Sequence, residues 1–287
     1  MAATDGSRPS GGASPAAIQA HYDVGNAFFR LWLDPTLTYS CALWAGPDDT
    51  LEAAQRRKLD YIAAPALDRG AKRVLDIGSG WGSLLARLSA GGAESLVGLT
   101  LSRQQLDHVS ALGLPGADVR LESWRDHQPT EPYEAIVSVG AFEHFADLDL
   151  SAAERLAIYR EFFTACHRWL TPGAPLVLQT IAYGPVPALR GRELFLDIFP
   201  ESDLPLPHEI LEASEGLFEI GELRNDREHY VRTLRAWHRA LRARRAEATA
   251  VVGAETVLFY IRYLAVSAAM FEAKNTILLR LKMTRSP

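Results

Sequence analysis

Apolar residues recur along the chain with two spacings, one typical of strands and one typical of helices. Short apolar runs bounded by glycine, proline or polar residues indicate buried strands. They predict strands over 73–77, 95–100, 118–122, 134–139, 175–181, 217–223 and 276–283. Longer stretches, some preceded by a capping residue such as Thr50 or Ser102, indicate helices. They predict helices over 17–33, 51–67, 81–90, 102–111, 152–170, 231–247 and 254–272.

Strands and helices alternate between residues 73 and 181. This alternation predicts an α/β, Rossmann-like fold with a mostly parallel seven-stranded sheet and helices on both faces. The segment 184–207 holds five prolines and is predicted to be irregular. We interpret 184–215 and 228–272 as a cap over a ligand site, within a single domain of residues 16–287.

The composition narrows the classes of protein to which this chain can belong. Of its 287 residues 48% are hydrophobic and 23% charged, as in soluble globular proteins. A net charge of −5 gives no reason to expect a nucleic-acid partner. We find no run of about 18 apolar residues and therefore expect no membrane span. Residues 1–15 are predicted to be a disordered leader and not a signal peptide, because they lack an apolar core.

The chain has two cysteines, Cys41 and Cys166. Two cysteines are too few for a disulfide framework or a zinc site. We therefore expect no bound metal and a reduced, cytoplasmic setting.

The most informative local motif is RVLDIGSGWG at 73–82. Gly78, Gly80 and Gly82 follow an apolar strand that carries Asp76, and glycines let the backbone approach a ligand closely. The spacing G-x-G-x-G differs from the dinucleotide pattern G-x-G-x-x-G. This difference favours a ligand without a pyrophosphate, such as S-adenosylmethionine. The alternative is a tight strand-to-helix turn that binds nothing.

Neutral polar residues follow the second predicted strand, where a dinucleotide enzyme usually carries Asp or Glu. Thr100 ends the strand, and Gln105 comes a turn later. Such groups can bind adenosine, or they can be a helix cap and a surface glutamine.

Together the motifs resemble those of the cyclopropane fatty acid synthase family, particularly its short branch that modifies mycolic acids. The matching segments are HYDVGNAFFRLWLDPTLTYSCALW (21–44), LEAAQRRKLD (51–60), VLDIGSGWGSL (74–84), GLTLSRQQ (98–105), GAFEHF (140–145) and HYVRTLRAW (229–237). The resemblance spans nearly everything from residue 17 onward. It implies a class I methyltransferase fold and an S-adenosylmethionine-dependent C-methyltransferase.

The resemblance also implies a reaction that begins with an alkene. Its π electrons attack the methyl carbon of S-adenosylmethionine and leave a carbocation on the former double bond. Loss of a proton then gives a cyclopropane, methyl-branched or methylene product. Such a protein must align the alkene, exclude water and hold a base.

Three readings of the function follow from the resemblance. The expected substrate is a lipid acyl chain. One alternative is a specialised metabolite such as a polyketide or terpenoid. Another is a binding protein that retains the fold without catalysis.

The family's cofactor contacts can be transferred to this sequence position by position. The resemblance places Tyr39 and Ser40 at the methionine end of the cofactor, and Trp124 with Arg125 near the adenine. The full predicted set is Tyr39, Ser40, Asp76, Gly78, Gly80, Gly82, Thr100, Leu101, Gln105, Trp124 and Arg125.

The predicted base departs from the family pattern at one position. The family holds a bicarbonate, whose ligands correspond here to Cys41, Glu143, Tyr230 and the backbone of Ile181. Its histidine, in a strand that ends H-T-I, is replaced by Gln179. Glutamine can donate a hydrogen bond to an anion but cannot carry positive charge or relay a proton. Either bicarbonate binds through neutral donors, or Glu143 or a substrate group takes the proton.

Aromatic side chains are expected to shield the cation, because ring faces attract positive charge. The predicted set is Tyr22, Phe142, Tyr230, Tyr263 and Phe271, with ordinary packing as the alternative for each.

Four arginines, at positions 232, 235, 239 and 242, fall on one face of a predicted helix. Such a face is either solvated or docks an acidic acyl carrier protein or an anionic lipid surface.

Overall fold

The seven strands of this computed structural model, which describes residues 24–186 and 203–287, form one sheet. They are β1 (Arg73–Ile77), β2 (Ser95–Thr100), β3 (Ala117–Leu121), β4 (Ala135–Val139), β5 (Pro175–Tyr183), β6 (Phe218–Asn225) and β7 (Thr276–Arg285). Their order is β3-β2-β1-β4-β5-β7-β6, and β1 to β5 run parallel. The strand β7 runs antiparallel to both β5 and β6. The predicted fold class is therefore confirmed.

The helices of the described ranges flank this sheet. They are α1 (Asn26–Phe29), α2 (Leu51–Leu67), α3 (Ser83–Ala90), α4 (Arg103–Ala111), α5 (Ala152–Trp169), α6 (Pro207–Ser214), α7 (Arg227–Ala243), α8 (Arg245–Val252) and α9 (Ala254–Glu272). Local sequence explains several starts: Thr50 and Ser102 cap α2 and α4, and Ser151 forms a capping box with Glu154 at α5.

Two predicted helices differ from the observed ones. Among the described residues of the predicted helix 17–33 only Asn26–Phe29 is α-helical, and Pro35 disfavours a helical Asp34. The predicted helix 231–247 is two helices separated at Arg244, so that Ala248 of α8 is buried against the other helices. The predicted leader 1–15 and Tyr22 lie outside the described residues, as does most of the predicted irregular segment 184–207.

Alternate residues of β1 pack into different layers. Leu75 and Ile77 pack with the aromatic residues of α5, whereas Val74 packs with Leu59 of α2 and Leu84 of α3. This alternation follows from the two-residue period of a strand and explains why the apolar residues of β1 are buried on both faces of the sheet.

A third apolar cluster joins α1, α7 and α9. Its ring contacts include Phe28 with Tyr260, with centroids 4.9 Å apart, and Trp32 with Trp237 at 5.9 Å. Trp81, inside the glycine motif, belongs to the same cluster and donates to the Asn26 side chain at 2.7 Å. The cluster therefore connects the helical layer to the loop after β1.

The helix α9 is long and apolar enough to cross a membrane, with a mean hydropathy of 1.3, and is the one such helix in the described part of the chain. The helix α9 is not an uninterrupted apolar run, and it passes this test of length and composition because few charges interrupt its apolar residues. Tyr260, Leu264 and Phe271 nonetheless bury one side of α9 against the other helices.

Candidate active site

The glycine motif forms the turn between β1 and α3. Gly78 and Gly82 have φ values of +83° and +80°, which side-chain-bearing residues rarely adopt. A Cβ on Gly78 would lie 2.6 Å from the Cβ of Ala141, so the loop after β4 also requires glycine here. Next to Gly80 no atom lies within 4 Å of the Cβ position, so this backbone borders open space. The loop therefore offers a ligand close access to its backbone.

The Tyr39–Ser40 segment is held by the helix α2. The Gln55 amide donates to the carbonyl of Ser40 at 2.8 Å, and the Lys58 ammonium donates to the Ser40 hydroxyl at 3.0 Å. Gln55 and Lys58 are both almost fully buried. The helix therefore presents polar groups from its buried face to fix this predicted cofactor contact.

A buried acid and a buried amine lie beneath the same site. Burial raises the pKa of Asp76 in β1 to about 7, with Lys58 opposing the shift. Burial, with Arg280 as a second cation, lowers the pKa of Lys58 to about 7. Asp76 is therefore a buried residue of the strand below the glycine loop.

Thr100 and Gln105 are bonded to each other at the carboxyl end of β2. The Thr100 hydroxyl donates to Gln105 Oε1 at 2.7 Å, and the Gln105 N–H donates to Ser102 Oγ at 3.3 Å. The Gly78 N–H donates to the carbonyl of Leu99 at 3.0 Å, which brings this strand end beside the glycine loop. The partly buried Leu101 continues the same turn.

A cavity that is partly open to solvent lies at the carboxyl ends of β4 and β5. It brings together eight of the predicted site residues, and apolar residues from α7 and α9 close one side of it. The predicted residues are Tyr39, Ser40, Glu143, Gln179, Ile181, Tyr230, Tyr263 and Phe271.

Glu143 is the carboxylate of this cavity. It lies on a single 3₁₀ turn, Phe142–His144, that follows β4, and it is 6% exposed. The Thr180 hydroxyl donates to its Oε2 at 3.0 Å, and the backbone N–H groups of Glu143 and Ile181 also donate to the carboxylate. Burial outweighs these hydrogen bonds and raises the pKa of Glu143 to about 7. The group can therefore gain or lose a proton near neutrality.

The neighbouring His144 lines the same cavity. Burial lowers its pKa to about 4, so the imidazole is neutral near pH 7. Sequence reasoning did not single it out.

Cys41 is buried next to the cavity but does not line it. Its thiol donates to the carbonyl of Ala42 at 3.2 Å, and burial raises the thiol pKa to about 12. Cys41 is therefore a neutral thiol near pH 7, and its place beside Glu143 in an anion site stays a prediction.

The predicted aromatic shield divides between two places. Tyr263 lies near Tyr39 and Glu143, while Phe271 packs against Tyr230 with centroids 4.6 Å apart. Phe142 is fully buried and stacks on Tyr159 at 4.6 Å, on the α5 side of the sheet. The observed contacts of Phe142 are those of a core residue, whereas the adjacent Glu143 lines the cavity. A role of Phe142 in shielding the cation stays a prediction.

Trp124 is a core residue in its observed contacts. It packs against Phe145 and Phe162 with centroids 5.2 and 5.5 Å apart, and the Arg125 guanidinium lies over its ring at 5.3 Å. A position of either residue near an adenine stays a prediction.

Two buried cations were missed by the sequence analysis: Lys58 and Arg280. Lys58 lies on the apolar face of α2, three residues after Gln55 and one before Leu59. A lysine on the otherwise apolar face of a predicted helix was the sequence signal that could have identified Lys58 as a buried cation. Arg280 stands inside the apolar run of β7, and only its partners across the fold identify its role.

The fold and the glycine loop define the class of this protein as a class I methyltransferase. The cyclopropane synthase MmaA2 from Mycobacterium tuberculosis superposes with a TM-score of 0.83 at 32% identity, covering 95% of this chain and 99% of that chain. Mycolic acid cyclopropane synthase CmaA1, complexed with SAH and CTAB, has a TM-score of 0.83 at 34% identity, with coverage of 94% and 98%. Coclaurine N-methyltransferase, at 17% identity and a TM-score of 0.73, shares the fold alone.

The chain belongs to the mycolic acid cyclopropane synthetase family, whose model matches residues 12–281. Cyclopropane mycolic acid synthase 2 of Mycobacterium leprae is 36% identical over 283 residues, which cover 91% of this chain and 90% of that protein. Cyclopropane mycolic acid synthase 1 of Mycobacterium tuberculosis is 36% identical over 275 residues, with coverage of 89% and 92%. The predicted family and the predicted S-adenosylmethionine-dependent methyltransferase are therefore confirmed.

Proposed function

We propose that this protein transfers a methyl group from S-adenosylmethionine to an alkene carbon of a lipid acyl chain, giving a cyclopropane, methyl-branched or methylene product. The observation that carries the proposal is the Glu143 carboxylate, held by Thr180 inside a largely apolar and aromatic cavity. Such a cavity suits an acyl chain, and a buried base suits removal of one proton. The cyclopropane mycolic acid synthases among its relatives favour a lipid over a specialised metabolite.

The residues around the glycine loop fit S-adenosylmethionine. Open space borders Gly80, and α2 fixes the Tyr39–Ser40 pair that also lines the cavity. When bound, S-adenosylmethionine supplies an electrophilic methyl group. We assign Thr100 and Gln105 to its adenosine side and the Tyr39–Ser40 pair to its methionine side. This assignment brings the methyl donor to the cavity that holds Glu143.

Aromatic faces in the cavity stabilise positive charge on the former alkene. Tyr230, Tyr263 and Phe271 can attract a cation without forming a bond to carbon. Leu204 and Met270 line the same space and exclude water, which would otherwise capture the cation as an alcohol.

Glu143 accepts the proton, either directly or through a bicarbonate bound beside it. The backbone N–H of Ile181, expected to hold bicarbonate, donates to Glu143 itself. Turnover in degassed, bicarbonate-free buffer separates the two routes, because only the second slows.

Exposed arginines near the junction of α7 and α8 are assigned to docking the carrier of the acyl chain. Arg239, Arg242 and Arg245 are exposed, whereas Arg232 and Arg235 are engaged by contacts within the chain. The carrier is an acidic acyl carrier protein or an anionic lipid surface, and binding to either weakens as salt increases.

The proposal includes a single domain of residues 16–287, with 184–215 and 228–272 as the cap. It is supported by the cavity, which is closed by residues of α7 and α9. A cytoplasmic location is supported by Cys41 and Cys166, which are both free and buried.

Mass spectrometry tests the proposal. The protein is incubated with S-adenosylmethionine and vesicles of phospholipid with cis-unsaturated chains, and the expected result is a mass gain of one methylene that requires S-adenosylmethionine. Absence of S-adenosylmethionine binding in calorimetry would overturn the enzymatic proposal. If the protein binds S-adenosylmethionine but forms no product on these vesicles, its acyl substrate is not carried by a phospholipid.

A further inference from the structure

Gln179, at the position where the family has histidine, is paired with Arg280. The two residues are opposite each other in the antiparallel pair of β5 and β7. The Arg280 Nε–H donates to Gln179 Oε1 at 2.8 Å. Because a guanidinium only donates, it must meet the amide oxygen, and the amide NH₂ then points the other way. The backbone carbonyl of Gln179 is occupied by the N–H of Gly140, so the NH₂ is the group left to face the cavity.

Arg280 is held in a single orientation by its other contacts. It is fully buried and forms an ion pair with Asp226 through Nη1. Its Nη2 donates to the carbonyls of Cys41 and Ala42 at 3.0 and 3.2 Å. These bonds prevent the guanidinium from turning away, so they also fix the orientation of the Gln179 amide.

Gln179 lies beside a fully buried cation, Arg280. Asp226 pairs with Arg280 and also accepts from Arg224 at 2.9 Å, and Arg224 has a second carboxylate, Glu222, at 4.0 Å. Arginine stays protonated when buried, and charge in a buried site is weakly screened. An anion on the cavity side of Gln179 would be attracted by this charge.

We propose that Arg280 is a positioning residue for a bicarbonate site beside Glu143: it turns the Gln179 NH₂ toward the anion and supplies the positive charge that the family's histidine would carry. The inference rests on the proposed function, in which bicarbonate is one route for the proton. It explains how a neutral glutamine serves at this position.

The test compares binding of ¹³C-labelled bicarbonate, followed by NMR line broadening, in the wild type and three variants. Arg280→Gln removes the charge, and Gln179→Glu still accepts from Arg280 but has no NH₂ donor. Arg224→Gln is the matched control, because Arg224 bonds the same Asp226 without touching Gln179. We expect bicarbonate binding to weaken about tenfold or more in the first two variants, as for loss of a hydrogen bond to a charged group. The control should bind like the wild type.

The affinity for S-adenosylmethionine is measured in the same samples and should stay unchanged. If Arg280→Gln does not fold, Gln179→Glu still decides the matter, because it leaves the Arg280 contacts satisfied. Wild-type bicarbonate binding in Gln179→Glu, or in folded Arg280→Gln, overturns the inference. Lack of bicarbonate binding in the wild type overturns the inference too. The proposed methyl transfer is tested separately, by the mass gain of the lipid.

Discussion

The hydroxyl of Thr180 donates a hydrogen bond to the Glu143 carboxylate at 3.0 Å, and both residues line the cavity. A hydrogen bond to the ionised form lowers a carboxyl pKa, here against the larger effect of burial. Thr180 therefore helps to keep the pKa of Glu143 near 7 rather than higher.

Replacing Thr180 with valine should shift the pH dependence of turnover. A base must be ionised to accept a proton, so turnover rises with pH through the pKa of Glu143. Thr180→Val raises that pKa, and the rising limb of the profile should move about one unit to higher pH. The measurement is kcat against pH. Thr180→Ser keeps the hydroxyl and should keep the wild-type profile; an unshifted profile in the valine variant would contradict the role of this bond.

Glu143→Gln should abolish turnover and leave S-adenosylmethionine binding nearly unchanged. Calorimetry and the lipid assay check the two parts separately. Turnover at the wild-type rate would remove Glu143 from the mechanism.

The same variant should change how stability depends on pH. The pKa of Glu143 is raised from 4.5 to about 7, so the folded protein binds this proton more tightly than the unfolded chain. Proton binding by Glu143 therefore stabilises the folded protein at low pH, and this part of the free energy of unfolding is lost as pH rises from about 4.5 to about 7. The Tm of Glu143→Gln minus the Tm of the wild type should therefore be larger at pH 8 than at pH 5, because only the wild type loses stability from this group as pH rises. An equal difference at both values would contradict the raised pKa.

Sequence patterns predicted the elements well where local chemistry determines them. The apolar run before Gly78 correctly predicted β1, and Ser102 correctly marked the end of β2 and the start of the helix after it. The break at Arg244 was not predictable, because no glycine or proline marks it in the sequence and the packing of Ala248 against the other helices depends on the tertiary fold.

The site was predicted less completely than the fold. Motif resemblance found Glu143 and the residues around it, but it could not say that Phe142 faces the opposite side of a 3₁₀ turn. Lys58 and Arg280 were missed because a buried cation depends on partners far away in the sequence, such as Asp226.

Phe142 and Phe271 should respond differently to replacement by leucine. Leucine is smaller than phenylalanine, so both swaps leave unfilled space and should each cost about 1–3 kcal/mol of stability. Phe271 faces the cavity, so Phe271→Leu should lower turnover beyond its effect on Tm. Phe142 is in the core against Tyr159, so Phe142→Leu should lower Tm alone. Turnover and Tm of both variants check this, and equal losses of turnover would remove Phe271 from the cation shield.

Alanine at Gly78 and at Gly80 should separate folding strain from loss of cofactor space. At Gly78 the new Cβ would lie 2.6 Å from Ala141 at a φ of +83°, so the loop must shift and Tm should fall clearly. At Gly80, with φ of +55° and no atom within 4 Å, alanine should cost only about 1–2 kcal/mol of backbone strain. Its methyl group would nonetheless project into the space assigned to S-adenosylmethionine. Gly80→Ala should therefore fold and bind S-adenosylmethionine more weakly by calorimetry, and wild-type affinity in this variant would place the cofactor elsewhere.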